Sequence, residues 1–251
     1  MILTITNQKG GAGKTTTAAE LGAALRKKGK SILFIDLDNQ GNLTFAMKGN
    51  PNKPGSYEIL TNKAKAPQII QTTEQGDLLT ASPALAGIES ELTATGKEYR
   101  LKKALARLPQ KYDFIIIDTP PALSTLTINA LTASDAVLIP VQADAFGLQG
   151  IASLRETIEA VQEYCNPRLY VAGILITQYN ARTNITKQMT DYLNRIAETL
   201  NTHLFNAKIR QCTAIKDAHA RQMDIYAYAP RSNAAKDFDA LATEFLKEAK
   251  T

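Results

Sequence analysis

Cysteine is nearly absent from this chain: Cys165 and Cys212 are the only two in 251 residues. They lie far apart and show no metal-ligand spacing, which excludes a disulfide framework or a cysteine-built zinc site as the organising principle. Each reads as a small buried hydrophobe in a reducing cytoplasm. No run of 18 or more apolar residues occurs, so no membrane-spanning helix is expected. Residues 1–8 lack a basic n-region and read as a strand, so no secretory signal is expected. Repeats, low-complexity tracts and inter-domain linkers are missing too. What remains is an ordinary globular composition, 44% hydrophobic with 14 glycines and 10 prolines. The length suits one α/β domain, residues 1–251, with a sizeable core.

Strand-like and helix-like segments alternate, which predicts a doubly wound, mainly parallel sheet flanked by helices. Strands are expected at 2–6, 31–36, 77–81, 113–118, 135–141, 169–176 and 204–207. Those at 113–118 and 135–141 are almost wholly apolar and should lie central, covered on both faces. Helices are expected at about 15–28, 85–94, 97–107, 147–164, 184–200, 213–221 and 233–249. Segment 48–76 is polar, carries Pro51, Pro54 and Pro67, and reads as a loop-rich excursion with one short helix near 56–61.

The most informative segment is Gln8-Lys9-Gly10-Gly11-Ala12-Gly13-Lys14-Thr15-Thr16, between the first strand and the first helix. Three glycines let backbone N–H groups turn inward, and the helix N-terminus behind them adds positive potential, so the loop can cradle a polyphosphate. In such a loop Lys14 lies along the β- and γ-phosphates and the Thr15 hydroxyl reaches Mg²⁺. The usual pattern has glycine five residues before Gly13; here that position is Gln8, and a second lysine, Lys9, heads the loop. A lysine there points away from its own nucleotide. It becomes useful when a second subunit presents it across a face-to-face dimer, as an arginine finger is presented elsewhere. Two apolar strands end in acids: Ile32-Leu33-Phe34-Ile35-Asp36-Leu37-Asp38 and Phe114-Ile115-Ile116-Ile117-Asp118. Strand carboxyl ends line the ligand crevice of a parallel sheet, so Asp118 can hold a Mg²⁺-bound water and Asp38 can orient an attacking water.

These blocks, with Asn39-Gln40-Gly41-Asn42, Leu126-Thr127-Ile128-Asn129-Ala130-Leu131, Ala181-Arg182-Thr183-Asn184 and Tyr228-Ala229-Pro230-Arg231-Ser232, resemble the ParA/Soj branch of the deviant Walker A ATPases. The resemblance runs nearly the full length and implies a P-loop NTPase fold binding ATP and Mg²⁺. It implies Lys9 as the lysine acting in trans, Lys14 as the phosphate-binding lysine, Asp38 as the aspartate that assists hydrolysis and Asp118 as the Walker B acid. Two departures stand out. Asn39 follows the catalytic aspartate where the family usually has proline, which loosens the switch segment, and Ile209 replaces a proline in the segment expected near adenine.

Three functional classes share such a loop. The first segregates DNA: an ATP-bound homodimer binds double-stranded DNA without sequence preference, and a ParB-like centromere-binding adaptor stimulates hydrolysis. The net charge of +5 favours this class because it is concentrated. Between Cys165 and Arg221 stand eight bases (Arg168, Arg182, Lys187, Arg195, Lys208, Arg210, Lys216 and Arg221) against three acids (Asp191, Glu198 and Asp217). Such clustering suits a phosphate-backbone contact surface. Arg182 matches a family position for DNA contact; a second arginine expected after Arg210 is absent, and Arg210, Lys216 and Arg221 are the candidates to compensate. The second class is MinD-like or positions protein clusters. Its membrane form is disfavoured because the final helix mixes Asp237, Asp239, Glu244 and Glu248 with Lys236, Lys247 and Lys250. The third class activates carboxylates or carries electrons, and the chain shows neither a second-substrate motif nor cluster-ligating cysteines. No helix-turn-helix segment precedes the first strand, so sequence-specific operator binding is not expected. A cytoplasmic protein, on the nucleoid when ATP-bound, is the expectation.

Overall fold

A computed structural model describes residues 1–108, 112–142, 145–180 and 184–248, without the side chains of 145–149 and 184–189. Its strands are β1 (Ile2–Ile5), β2 (Ile32–Asp36), β3 (Gln71–Thr73), β4 (Gly76–Leu79), β5 (Phe114–Asp118), β6 (Ala136–Gln142) and β7 (Tyr170–Thr177). The first helices are α1 (Lys14–Lys27), α2 (Asn42–Ala46), α3 (Ser56–Leu60), α4 (Ala66–Ile69), α5 (Ile88–Glu91) and α6 (Arg100–Leu105). They are followed by α7 (Thr125–Ala133), α8 (Ala145–Tyr164), α9 (Asn184–Thr199), α10 (Thr213–Ala220), α11 (Ile225–Tyr228) and α12 (Asn233–Glu248).

The strands form one sheet in the order β3-β4-β2-β5-β1-β6-β7, with β5 in the middle between β2 and β1 and every pairing parallel except β3 with β4. Alternation along each strand sorts side chains to two faces. On β2, Ile32 and Phe34 join the core beneath α1 and α12, whereas Leu33 and Ile35 join the core with Leu101, Leu105 and Leu126 on the other side. A third cluster packs Ile151, Leu154 and Ile158 of α8 onto Val137, Ile139 and Val141 of β6. Helices therefore cover both faces, and polar groups gather at the carboxyl ends of the central strands, where parallel sheets hold their ligands.

Several elements depart from the sequence expectations. Residues 204–207 form no strand; Leu204 makes an isolated bridge to Ile174, with Phe205 N–H donating to the Ile174 carbonyl at 2.9 Å. The polar excursion contains β3, an antiparallel edge strand whose Gln-Thr-Thr sequence has no apolar face to announce it. Helix α7 is rich in β-branched residues and lacks a clear helical stripe; the Ser124 side chain caps it by accepting from Leu126 N–H. Short helices α2 and α11 likewise have no periodicity to read.

One close approach fixes α1 on the sheet. A Cβ at Gly22 would lie 2.1 Å from Cε1 of Phe34, a ring that is itself buried. Gly22→Ala should destabilise the fold by about 1–3 kcal/mol through overpacking. Urea unfolding followed by circular dichroism should show an earlier midpoint with an unchanged slope; an unchanged midpoint would mean the contact is soft.

Candidate nucleotide-binding site

The loop between β1 and α1 turns at the centre of the sheet. Gly13 adopts φ +88° as the residue before α1, a conformation that L side chains rarely take. Its carbonyl accepts from Thr17 N–H at 2.8 Å, which starts the helix at once. No acceptor among the described residues takes the N–H groups of Gly10, Gly11, Ala12 and Gly13. Unpaired donors followed directly by a helix N-terminus make an anion-binding cradle. Neighbouring strand ends brace the loop: Thr177 Oγ1 donates to the Ala12 carbonyl at 2.8 Å, Gln178 Nε2 to Gly11 at 2.7 Å, and Asn7 Nδ2 to Pro140 at 2.7 Å.

Gly10, Gly11, Gly13, Lys14, Thr15, Thr16 and Asp38 line one open cleft of about 530 Å³, together with Gln178 and Lys216. Lys14 is buried, and its ammonium donates to the Lys9 carbonyl at 3.3 Å. Burial pushes its pKa down, while Asp118 and Asp38 pull it back up. Lys9 donates from Nζ to Gln142 Oε1 at 3.3 Å, and so rests on its own subunit.

Strand register builds the acidic side. Asp36 and Asp118 are direct partners on β2 and β5 at the carboxyl ends of both strands. Asp36 is fully satisfied: it accepts from Asp38 N–H at 3.0 Å and from the Thr44 N–H and hydroxyl at 2.8 and 2.7 Å. Burial nevertheless pushes its carboxyl up to about 6. Asp118 is the opposite case, buried with neither carboxylate oxygen hydrogen-bonded. Burial and then the charge of Asp36 hold it well above the usual carboxylate range, while the Thr15 hydroxyl and Lys14 ammonium pull the other way. A buried, unpartnered carboxylate beside a threonine hydroxyl is a hard-oxygen donor set, which fits Mg²⁺. Asp38 accepts from Gln40 N–H at 3.0 Å and from Gly41 N–H through its carbonyl at 2.8 Å, heading the turn into α2.

A smaller cavity of about 110 Å³ adjoins the cleft. It shares Gly13, Thr16, Gln178 and Lys216 with it and has apolar walls from Ile209, Ile215 and Phe238. A flat heterocycle attached to a phosphate chain on the loop fits this place. Ile209, which stands where the resemblance leads one to expect proline, keeps an apolar wall here.

The basic candidates separate. Arg182 lies outside the described residues. Arg210 is held by Asp237, with its terminal nitrogen 2.6 Å from Oδ1 and Nε within 3.1 Å of both oxygens. Arg221 stacks over the Tyr228 ring, 5.7 Å from the centroid. Lys216 faces the cleft. Thr177, Gln178 and Gln142 carry no sequence signal of their own, although Gln142 and Thr177 end strands, and Gln178 follows one, at the carboxyl edge where ligand contacts collect. Cys165 and Cys212 are free and only partly buried.

Sheet order, loop and acid pair together define a P-loop nucleotide-binding protein. A family model described as "AAA domain" matches residues 1–171. The chain is 41% identical to sporulation initiation inhibitor protein Soj of Bacillus subtilis over 248 residues, 97% of each chain. It is 36% identical over 251 residues to chromosome partitioning protein ParA of Myxococcus xanthus, covering 98% of this chain and 88% of that one. A crystal structure of cobyrinic acid a,c-diamide synthase from Mycobacterium smegmatis, with bound ATP analogue and magnesium, superposes with a TM-score of 0.86. Its identity is 34%, and the match covers 100% of this chain and 96% of that one. The chain belongs to the ParA/Soj family of P-loop ATPases.

The charge balance at Asp118 has a measurable consequence. A carboxyl whose folded pKa is raised disfavours the fold as pH climbs from about 4, its unfolded value, through the folded value. Removing that carboxylate should therefore stabilise the nucleotide-free protein at pH 7.5 by about 1–2 kcal/mol. Asp118→Asn should melt a few degrees higher than wild type without ligand and lose the added stabilisation that Mg²⁺ gives to the nucleotide-bound form. A wild-type response to Mg²⁺ in that variant would remove Asp118 from the metal site.

Proposed function

We propose that this protein is a DNA-segregation ATPase, acting through the whole chain as one unit. The carrying observation is the two-lysine loop folded against a buried, unpartnered Asp118 and a cleft-lining Asp38. The relative named for chromosome partitioning, matched over 98% of this chain, supports the choice of class.

In this cycle ATP is held by the loop N–H groups and Lys14. Thr15 and Asp118 would hold Mg²⁺, which would supply charge neutralisation for the transferred phosphoryl group. Two loaded protomers close face to face, and each Lys9 leaves Gln142 for the other subunit's phosphates. Closure doubles the basic surface presented to one duplex, so affinity rises through counterion release. Arg182 and Arg221 contact phosphates; Arg210 contributes through the face it leaves exposed beside Asp237. Asp38 orients the attacking water, and loss of the γ-phosphate relaxes the turn from Asp38 to Gly41, opening the dimer. A ParB-like centromere-binding adaptor accelerates that step. None of the described helices is long and apolar enough to cross a membrane, and we assign the protein to the cytoplasm, on the nucleoid in its ATP state.

Gel shifts with non-specific duplex DNA should show binding with ATP and little with ADP or no nucleotide. A carboxylate-activating synthase would instead turn over ATP only with a small acid acceptor and would ignore DNA. Lys14→Ala should abolish ATP binding by calorimetry, and retained affinity would refute the loop assignment. Asp38→Ala should leave a long-lived ATP dimer on DNA, so fast turnover there removes its role. Arg182→Ala should weaken DNA binding several-fold and lower the salt slope by about one, with ATP affinity unchanged.

A further inference from the structure

Lys216 is one of the bases that composition groups into a DNA-facing surface, yet it lies on the wall of the nucleotide cleft. It borders both the phosphate cleft, with Gly10, Lys14 and Asp38, and the adjoining cavity walled by Ile209, Ile215 and Phe238. We infer that Lys216 is a nucleotide-binding residue, its ammonium meeting the ribose and α-phosphate end of a nucleoside di- or triphosphate. The starting point is the nucleotide-binding loop of the function proposed above.

Position along the ligand follows from the ends of the site. Lys14, Asp38 and the buried Asp118 gather where the terminal phosphates must lie, because the metal-fitting carboxylate is there. The apolar cavity at the other end suits the base. A residue shared by both spaces stands between them, beside the sugar and the first phosphate. Lys216 shares that position with Gly13, Thr16 and Gln178, and is the only charged side chain among the lining residues common to both.

The backbone that carries it is held firmly. Ile215 and Ala218 bury the inner side of α10. His219 Nε2 lies 2.8 Å from Glu20 Oε1, and the other oxygen of Glu20 accepts from Ile225 N–H at 3.0 Å. Glu20 is fully buried on α1, the helix that begins at Lys14. The helix bearing Lys216 is thus tied to the helix that bears the phosphate loop. Lys216 is exposed and pairs with no carboxylate among the described residues, so an anion in the cleft can recruit its ammonium without breaking an ion pair. Arg210, by contrast, is already committed to Asp237.

A contact at the α-phosphate end is made equally to ATP and ADP. Lys216→Ala should therefore weaken both by a similar factor, about five- to tenfold, the loss expected for one charge-assisted hydrogen bond at a partly exposed site. Lys216→Arg should retain most of the affinity, and Lys216→Glu should lose more than alanine does. Titration calorimetry with ATP and with ADP, on Asp38→Ala protein to prevent turnover, reads both constants, and DNA gel shifts at saturating ATP run alongside. Equal weakening for the two nucleotides with normal DNA binding supports the assignment. Unchanged nucleotide affinity with impaired DNA binding returns Lys216 to the DNA surface; a loss confined to ATP moves its contact to the γ-phosphate. Either overturns the inference, as does a loss that arginine fails to rescue. Failure of the parent protein to bind either nucleotide would instead sink the underlying loop assignment.

Discussion

Two carboxylates side by side at the ends of neighbouring parallel strands, both out of reach of water, set the terms for this molecule. Asp36 and Asp118 are register partners in the middle of the sheet, and the interior cannot hold two unbalanced negative charges cheaply. The two are treated differently. Asp36 is given a full set of donors, Thr44 and the Asp38 backbone, and spends its charge on fixing the segment that follows β2. Asp118 is given none. The groups that compensate it are Thr15 and Lys14 of the loop.

That asymmetry links ligand state to shape. Asp36 holds Thr44 at the start of α2, and Thr44 in turn accepts from Ala81 N–H at 2.9 Å beyond β4. The turn from Asp38 to Gly41 therefore runs between the cleft-lining Asp38 and a fixed anchor on the sheet. Asn39 in the turn lacks the ring that would stiffen it. On the other side of the loop, the Glu20–His219 contact ties α1 to α10 and the apolar cavity. Two buried carboxylates, Asp36 on β2 and Glu20 on α1, thus fix the segments on either side of the loop.

The legible parts of the chain were those where a local pattern carries the chemistry. Lys9 through Thr16 could be read because glycines, lysines and a threonine must be consecutive to wrap a phosphate. Asp36 and Asp118 were visible as strand-closing acids, and Asp38 as the acid two residues beyond. Alternating strands and helices announced the doubly wound sheet. Less local features stayed hidden. β3 has no apolar face, α7 is spelled in β-branched residues, and 204–207 looks like a strand yet makes a single bridge. Gln142, Thr177 and Gln178 brace the loop from strands more than 130 residues away, as the separations of 133, 165 and 167 in their contacts with Lys9, Ala12 and Gly11 show. No window of sequence contains such a pairing.

By itself, the sequence determined the class of fold, the glycine-rich loop after the first strand and the acids at two strand ends, because each is written in neighbouring residues under strict backbone or burial constraints. Tertiary structure alone decided how the charges divide their work. Counting bases from Cys165 to Arg221 treats them as one surface. In space Arg210 is clasped by Asp237, Arg221 lies on Tyr228, and Lys216 turns into the cleft. A charge acts through distance and solvent exposure, and neither is a property of position along the chain.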